Sequence, residues 1–158
     1  MHYWLFKSEP TTFSIDDLNR RPKQTEPWNG VRNYQVRNML RDNIKPGDLA
    51  FFYHSSCQPP GIVGIMEIVT AAYADLSALD PQSAYYDPQS TADHPRWLMV
   101  DVKLVRKFSQ LIPLNEIKKQ PKLKNMLILR KGNRLSITPV TKEEWDTIIK
   151  IHDLLTCC

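Results

Sequence analysis

Tyr3-Trp4-Leu5-Phe6-Lys7-Ser8-Glu9-Pro10 opens on aromatic and apolar residues and closes in a short polar run. Such aromatic density reads as a buried strand, and Pro10, which has no N–H to give a sheet, stops it. Two further polar runs stand in similar places. Tyr53-His54-Ser55-Ser56 closes the apolar strand Leu49 to His54. Trp28-Asn29-Gly30-Val31-Arg32-Asn33 sets a large aromatic, two amides, a guanidinium and a glycine side by side. Tryptophan offers a flat apolar face. Asparagine carries a donor and an acceptor, which reading the edge of a base requires. Arginine can hold a phosphate through two parallel hydrogen bonds. Polar runs at three strand ends point to one pocket for something flat and polar.

Outward from these runs, the pattern alternates short strands with short helices. Ser14-Ile15-Asp16-Asp17-Leu18 predicts a helix with Ser14 as its N-cap and acids in the first turn. Arg20 to Pro27, polar and holding Pro22 and Pro27, reads as a loop that delivers Trp28. Val36, Met39 and Leu40 then recur at helical spacing across Tyr34 to Asp42, and the helix start beside Asn33 is a candidate anion site. Lys45-Pro46-Gly47-Asp48 is a turn by composition. Ile62 to Thr70 is a β-branched strand in which Gly64 marks a bulge or a close backbone approach. Asp80 to Pro95 has no period and reads as a long ordered excursion of the kind that often binds.

Trp97 to Phe108 alternates, with Leu98, Val100, Val102 and Leu104 on one face. Pro113 to Lys118 and Lys122 to Leu129 predict two short helices, and Arg134 to Ile137 a strand ending before Pro139. Thr141-Lys142-Glu143-Glu144 is a capping box that opens a last helix, packed through Trp145, Ile148, Ile149 and His152. The result is an α+β domain on a mixed barrel, spanning residues 1–155, with 156–158 as a frayed tail.

The 158 residues, 42% apolar, suffice for one core. No stretch approaches the roughly 20 apolar residues of a membrane-spanning helix, and the N-terminus lacks the layout of a secretory signal, so the cytoplasm is the expected compartment. Cys57, Cys157 and Cys158 make no disulfide framework, and His2, His54, His94 and His152 show no paired spacing with them, so no metal is expected. No glycine-rich phosphate loop or dinucleotide fingerprint is present, and no cofactor is expected. A net charge of +4 permits a nucleic-acid partner without demanding one.

Each candidate residue has a plainer alternative. Trp28 and Trp97 serve a stacked base or pack the core, whereas Trp4 and Trp145 sit in apolar patterns and read as core. Asn33 and Ser8 read a base edge or cap a helix and a strand end. Glu9 accepts from an exocyclic amine or is a surface charge. Tyr53 and Ser55 close the third run. Arg32, Arg37, Arg41 and Lys45 line a phosphate path or form a solvated helix face. His54 beside Ser55 and Cys57 invites a nucleophile, but the chain has no Gly-x-Ser-x-Gly elbow.

Tyr3 to Pro10, Trp28 to Asn33, Gly47-Asp48, Tyr53-His54-Ser55, Gly61-Ile62-Val63-Gly64 and Arg134-Leu135-Ser136 occur here in the order seen in EVE-domain proteins, and the chain resembles that family from about Met1 to about Leu155. The family is similar to the nucleic-acid-binding PUA and YTH domains. The resemblance implies a PUA-like mixed β-barrel with short flanking helices. It also implies a non-enzymatic module that reads a modified base, a modified cytosine first, in DNA or RNA. Trp28 and Trp97 would sandwich the base, with Asn33, Ser8, Glu9, Tyr53 and Ser55 around it and Arg32, Lys7 and Arg134 on the backbone. The alternative on the same fold is a small amidohydrolase for a modified nucleoside, built on Lys7 and Glu9. A third is a protein adaptor that binds through the Asp80 to Pro95 excursion.

Overall fold

In a computed structural model, which describes residues 1–156, the chain runs β1 (Tyr3–Ser8), α1 (Ile15–Arg20), β2 (Thr25–Trp28), α2 (Tyr34–Asp42), β3 (Leu49–His54), β4 (Gly61–Ile68), β5 (Tyr73–Ala74), β6 (Leu98–Pro113), α3 (Leu114–Lys118), β7 (Ile137–Val140) and α4 (Lys142–Thr156). Single 3-10 turns lie at Pro22–Gln24, Leu76–Leu79, Pro121–Leu123 and Leu127–Leu129. The strands form one sheet in the order β2-β6-β4-β3-β1-β7, with β5 paired to β6 off that path. β1 and β3 are parallel and the other pairs antiparallel.

The sheet curls on itself. Trp28 of β2 and Phe6 of β1 are four strands apart along the sheet, about 19 Å if it lay flat at the usual strand spacing. Their ring centroids are 5.3 Å apart. The 16-residue β6 bends to allow this, through register shifts against β4 on either side of Gly64 and Ile65. Gly64 is a close approach, as its sequence setting implies. A Cβ there would stand 2.3 Å from Ile15 Cδ1 and 2.5 Å from the Arg106 carbonyl oxygen.

The apolar runs of β1 and β3 are continuous because both faces are buried. Trp4, Phe6, Ala50 and Phe52 point into the curl, with Trp28, Val36, Leu40, Val100 and Val102. Leu5, Phe51 and Tyr53 point outward, under α4 and the turns before β7. Trp145 of α4 stacks on Phe51 at 3.9 Å. Trp4 and Trp145 are core, and the Trp4 indole N–H donates to the buried Asp48 carboxylate at 3.0 Å. The anticipated Ser14 cap forms, as a full capping box with Asp17, and so does the anticipated box at Thr141. Ser14 Oγ accepts from Asp17 N–H at 3.1 Å, and Thr141 Oγ1 accepts from Glu144 N–H at 3.1 Å.

Four expectations about elements fail. Arg20 to Pro27 is not a loop, because Thr25–Trp28 pairs with β6, so Trp28 ends a strand. β7 is Ile137–Val140 and contains Pro139 opposite Trp4. In both cases the proline sits in a strand at one end of the sheet order, where a residue's nitrogen can face away from the one partner strand and a missing N–H is tolerated. Lys122 to Leu129 is not one helix but two 3-10 turns. Thr156 belongs to α4 rather than to a tail, while Cys157 and Cys158 lie outside the described residues. No helix among the described residues is long and apolar enough to cross a membrane.

Candidate functional site

A cavity of about 590 Å³ opens where β1 and β2 end. Lys7, Ser8 and Glu9 come from the end of β1, Thr12 and Phe13 from the loop to α1, and Pro27 to Val31 from the end of β2. Tyr85 enters from the long excursion, and Ser136 from the approach to β7. Arg21 and Glu26, which pair with each other, stand at its edge.

Hydrogen bonds between strand ends set this shape. Ser8 Oγ donates to the Phe13 carbonyl at 2.6 Å, Ser55 N–H to the Ser8 carbonyl at 3.0 Å, and Lys7 N–H to the Ser136 carbonyl at 2.8 Å. Trp28 is 8% exposed, held by Phe6, Phe13 and Phe52, whose rings stand at 73° to 87° to it. Edge-to-face contacts of this kind fix a ring's plane.

The opposite wall hangs from a buried acid. Asp75 accepts from Gly30 N–H at 2.9 Å, from Arg32 Nη1 at 3.1 Å and from Ser77 N–H at 2.9 Å. Burial alone would push its carboxyl up, but the bonds from Ser77, Gly30 and Arg32 outweigh that and hold it below the usual carboxylate range. Gly30, at φ +85°, brings the chain against Tyr85, where a Cβ would lie 2.7 Å from the ring. Arg32 then spans to the Tyr85 carbonyl through Nε and Nη2. Among the charges of the cavity, Lys7 is half-buried, and burial pushes its ammonium pKa down.

The structure gathers some of the anticipated residues and separates others. Trp28, Ser8, Glu9 and Lys7 line the cavity together. Asn33 is exposed, and its Oδ1 caps α2 by accepting from Val36 N–H at 3.1 Å, so the amide at the cavity is Asn29. Trp97 does not line it. Its ring stacks on Tyr34 at 4.9 Å, and its N–H donates to Asp87 at 2.7 Å. Period two along β3 turns Tyr53 into the outer core, where burial pushes its phenol up to about 12. Ser55 contributes a backbone bond and no lining side chain. Arg32 is spent on Asp75 and Tyr85, and so is not an open phosphate grip. Arg134 is exposed and outside the lining, whereas its neighbour Ser136 is within it.

Arg37, Arg41 and Lys45 line a second cavity, of about 480 Å³, with Leu40, Ile44 and Leu98. His54 Nε2 accepts from Ile15 N–H at 3.1 Å, so its acceptor nitrogen is not free to activate Ser55. Among the described residues no three His, Cys, Asp or Glu converge as metal ligands would. Residue-by-residue reading missed Tyr85, Phe13 and Asp75. Tyr85 had a signal, since it sits in the aperiodic excursion flagged as a binding loop.

The chain is similar to known proteins over nearly its whole length. The sequence pattern described as the EVE domain matches residues 2–151. Thymocyte nuclear protein 1 of Homo sapiens is 45% identical over 96% of this chain and 74% of its own length. A crystal structure of human THYN1 in complex with 5-methylcytosine-containing DNA superposes with a TM-score of 0.90 at 45% identity, covering 97% of this chain and 98% of that one. A crystal structure of a Pseudomonas putida protein gives a TM-score of 0.90 at 47% identity, over 95% and 99%.

Proposed function

The chain belongs to the EVE-domain family, and on that premise we propose that it is a non-enzymatic nucleic-acid-binding module that takes one modified cytosine into the cavity between Trp28 and Tyr85. The cavity itself carries the reading. Its volume of about 590 Å³ falls within the roughly 300–1,000 Å³ of small-ligand sites. It combines three aromatic residues, Phe13, Trp28 and Tyr85, with hydroxyl, amide, carboxylate and ammonium groups, the mix a flat polar heterocycle needs. The relative that binds 5-methylcytosine DNA supports the choice of base.

In this reading the base leaves its stack and lies against Trp28 and Tyr85. Ser8, Asn29 and Glu9 meet its edge, and Lys7 meets an adjacent oxygen. A methyl group buried in the cavity contributes about 0.8 kcal/mol, about a fourfold preference. Larger selectivity needs a close fit.

Fluorescence anisotropy with labelled DNA and RNA, with and without 5-methyl- or 5-hydroxymethylcytosine, tests the proposal. Wild type is expected to prefer one modified strand. Tyr85→Ala is expected to lose about 1–3 kcal/mol of base stacking and with it the preference. Trp28→Phe is the matching change on the other side. Trp28→Ala is a poor probe, because removing a ring packed on Phe6, Phe13 and Phe52 costs about 3–5 kcal/mol of stability. Affinity indifferent to modification would sink the reading. Turnover of an N-acylated nucleoside, lost on Lys7→Ala, would replace it with the amidohydrolase.

A further inference from the structure

Between Lys118 and Arg134 the chain carries seven lysines and arginines and no acid. With a net charge of +4 for the whole chain, everything outside this segment is net negative, at −3. All seven side chains are exposed. Among the described residues only Lys119 has a carboxylate partner, Glu116 at 3.6 Å. The segment is nevertheless held in place. Ile117, Leu123 and Met126 are buried in the outer core, so its apolar residues pin it down and its cations face water.

Its position is as informative as its charge. The segment leaves the sheet after Pro113, which pairs with Gly61. Gly61 pairs with His54, and His54 with Ser8. It rejoins the sheet through Ser136, which lines the cavity and accepts the Lys7 N–H. Both ends of the basic segment therefore sit at the end of the sheet where the cavity opens. The sequence-stretch Arg32 to Lys45 cannot take this role in the same way, since Arg32 is spent on Asp75 and Arg41 pairs with Asp42.

We propose that residues 118–134 seat the sugar-phosphate backbone of the nucleic acid whose base enters the cavity. The inference rests on the base-reading function above. Phosphates at regular spacing suit unpaired cations spread along one segment, and contiguity with the cavity favours a strand over a lipid surface. Each phosphate contact on duplex DNA adds about 0.9 to the slope of log affinity against log salt.

The test compares two triple variants of equal charge. Lys122→Gln, Lys124→Gln and Lys131→Gln together neutralise the segment, and Lys23→Gln, Lys45→Gln and Lys103→Gln together neutralise exposed lysines elsewhere. On methylated duplex DNA, the first is expected to flatten the slope by about 2.7, with the preference for the modified base unchanged. The second is expected to leave the slope near wild type. The double variant Lys124→Gln with Lys131→Gln should give about two thirds of the change. Equal slopes in the two triple variants would overturn the proposal. So would a segment variant that keeps the wild-type DNA slope yet releases vesicles of anionic phospholipid. A flattened slope in a protein that ignores base modification would uphold the seat and overturn the base reader instead.

Discussion

Replacing Asp75 by alanine removes the group from which one wall of the cavity hangs. The carboxylate has no exposed side-chain surface and accepts from Gly30 N–H, Arg32 and Ser77. Each partly buried N–H left without an acceptor costs about 1 kcal/mol at the low end of the usual range. Arg32 keeps 24% of its side-chain surface, so water screens its loss and that pair is counted at about 1 kcal/mol or less. Two amides and one discounted ion pair give a loss of about 3 kcal/mol. For a chain of this size that lowers the melting temperature by about 6–12 °C.

The pH dependence has a definite sign. Asp75 is held below the ordinary carboxylate range, so its contribution is complete above the unfolded value of about 3.9 and is lost as pH falls through the folded one. Melts followed by tryptophan fluorescence should therefore show a constant gap between wild type and Asp75→Ala from pH 7 to about pH 4. The gap should narrow below that. Because Gly30, Arg32 and Tyr85 lose their common anchor, the preference for a modified base should fall with stability. A gap under about 1 °C at pH 7, or one that persists unchanged to pH 2, would refute the reasoning.

Gly30→Ala places a methyl 2.7 Å from the Tyr85 ring at φ +85°, so it should cost about 1–2 kcal/mol from backbone strain alone and shift Tyr85, which a melt and a base-binding titration would read together. Gly64→Ala must displace the Arg106 carbonyl and Ile15, and a loss of about 1–3 kcal/mol in urea unfolding is expected; a neutral result would mean the β4–β6 register adapts freely. Burial pushes His54 below its ordinary value, against the pull of Asp16. The unfolded chain therefore takes up that proton first as pH falls, and stability from this group is full above about pH 6.5 and lost below it. His54→Gln, which retains an acceptor for the Ile15 N–H, should be flatter than wild type between pH 7 and pH 5, and identical slopes would show that the imidazole is not the titrating group.

The sequence was legible wherever one local cause decided the outcome. Two-sided burial wrote β1 and β3 as unbroken apolar runs, and the capping residues Ser14 and Thr141 marked helix starts correctly. It misled where a partner strand decided. Pro27 and Pro139 argue locally against strands, and only a position at the margin of the sheet order makes them harmless. The candidate site divides along the same line. Lys7, Ser8, Glu9 and Trp28 line one cavity because each lies in a polar run at a strand end, and strand ends converge. Tyr53 lies in such a run too, but a single step along β3 turns it to the outer core.

Arg32 shows a different limit. A guanidinium beside a tryptophan in a polar loop reads as a ligand grip, yet its acid, Asp75, is 43 residues away in sequence. Nothing local announces that pairing. A buried carboxylate is retained only when donors converge on it, and here the donors are the turn that shapes the cavity. The arginine that looked like the hand on the ligand is therefore the brace of the wall. In the proposed complex, grip on a phosphate backbone would fall to cations that no carboxylate has claimed, and among the described residues the greatest concentration of these lies in the segment 118–134.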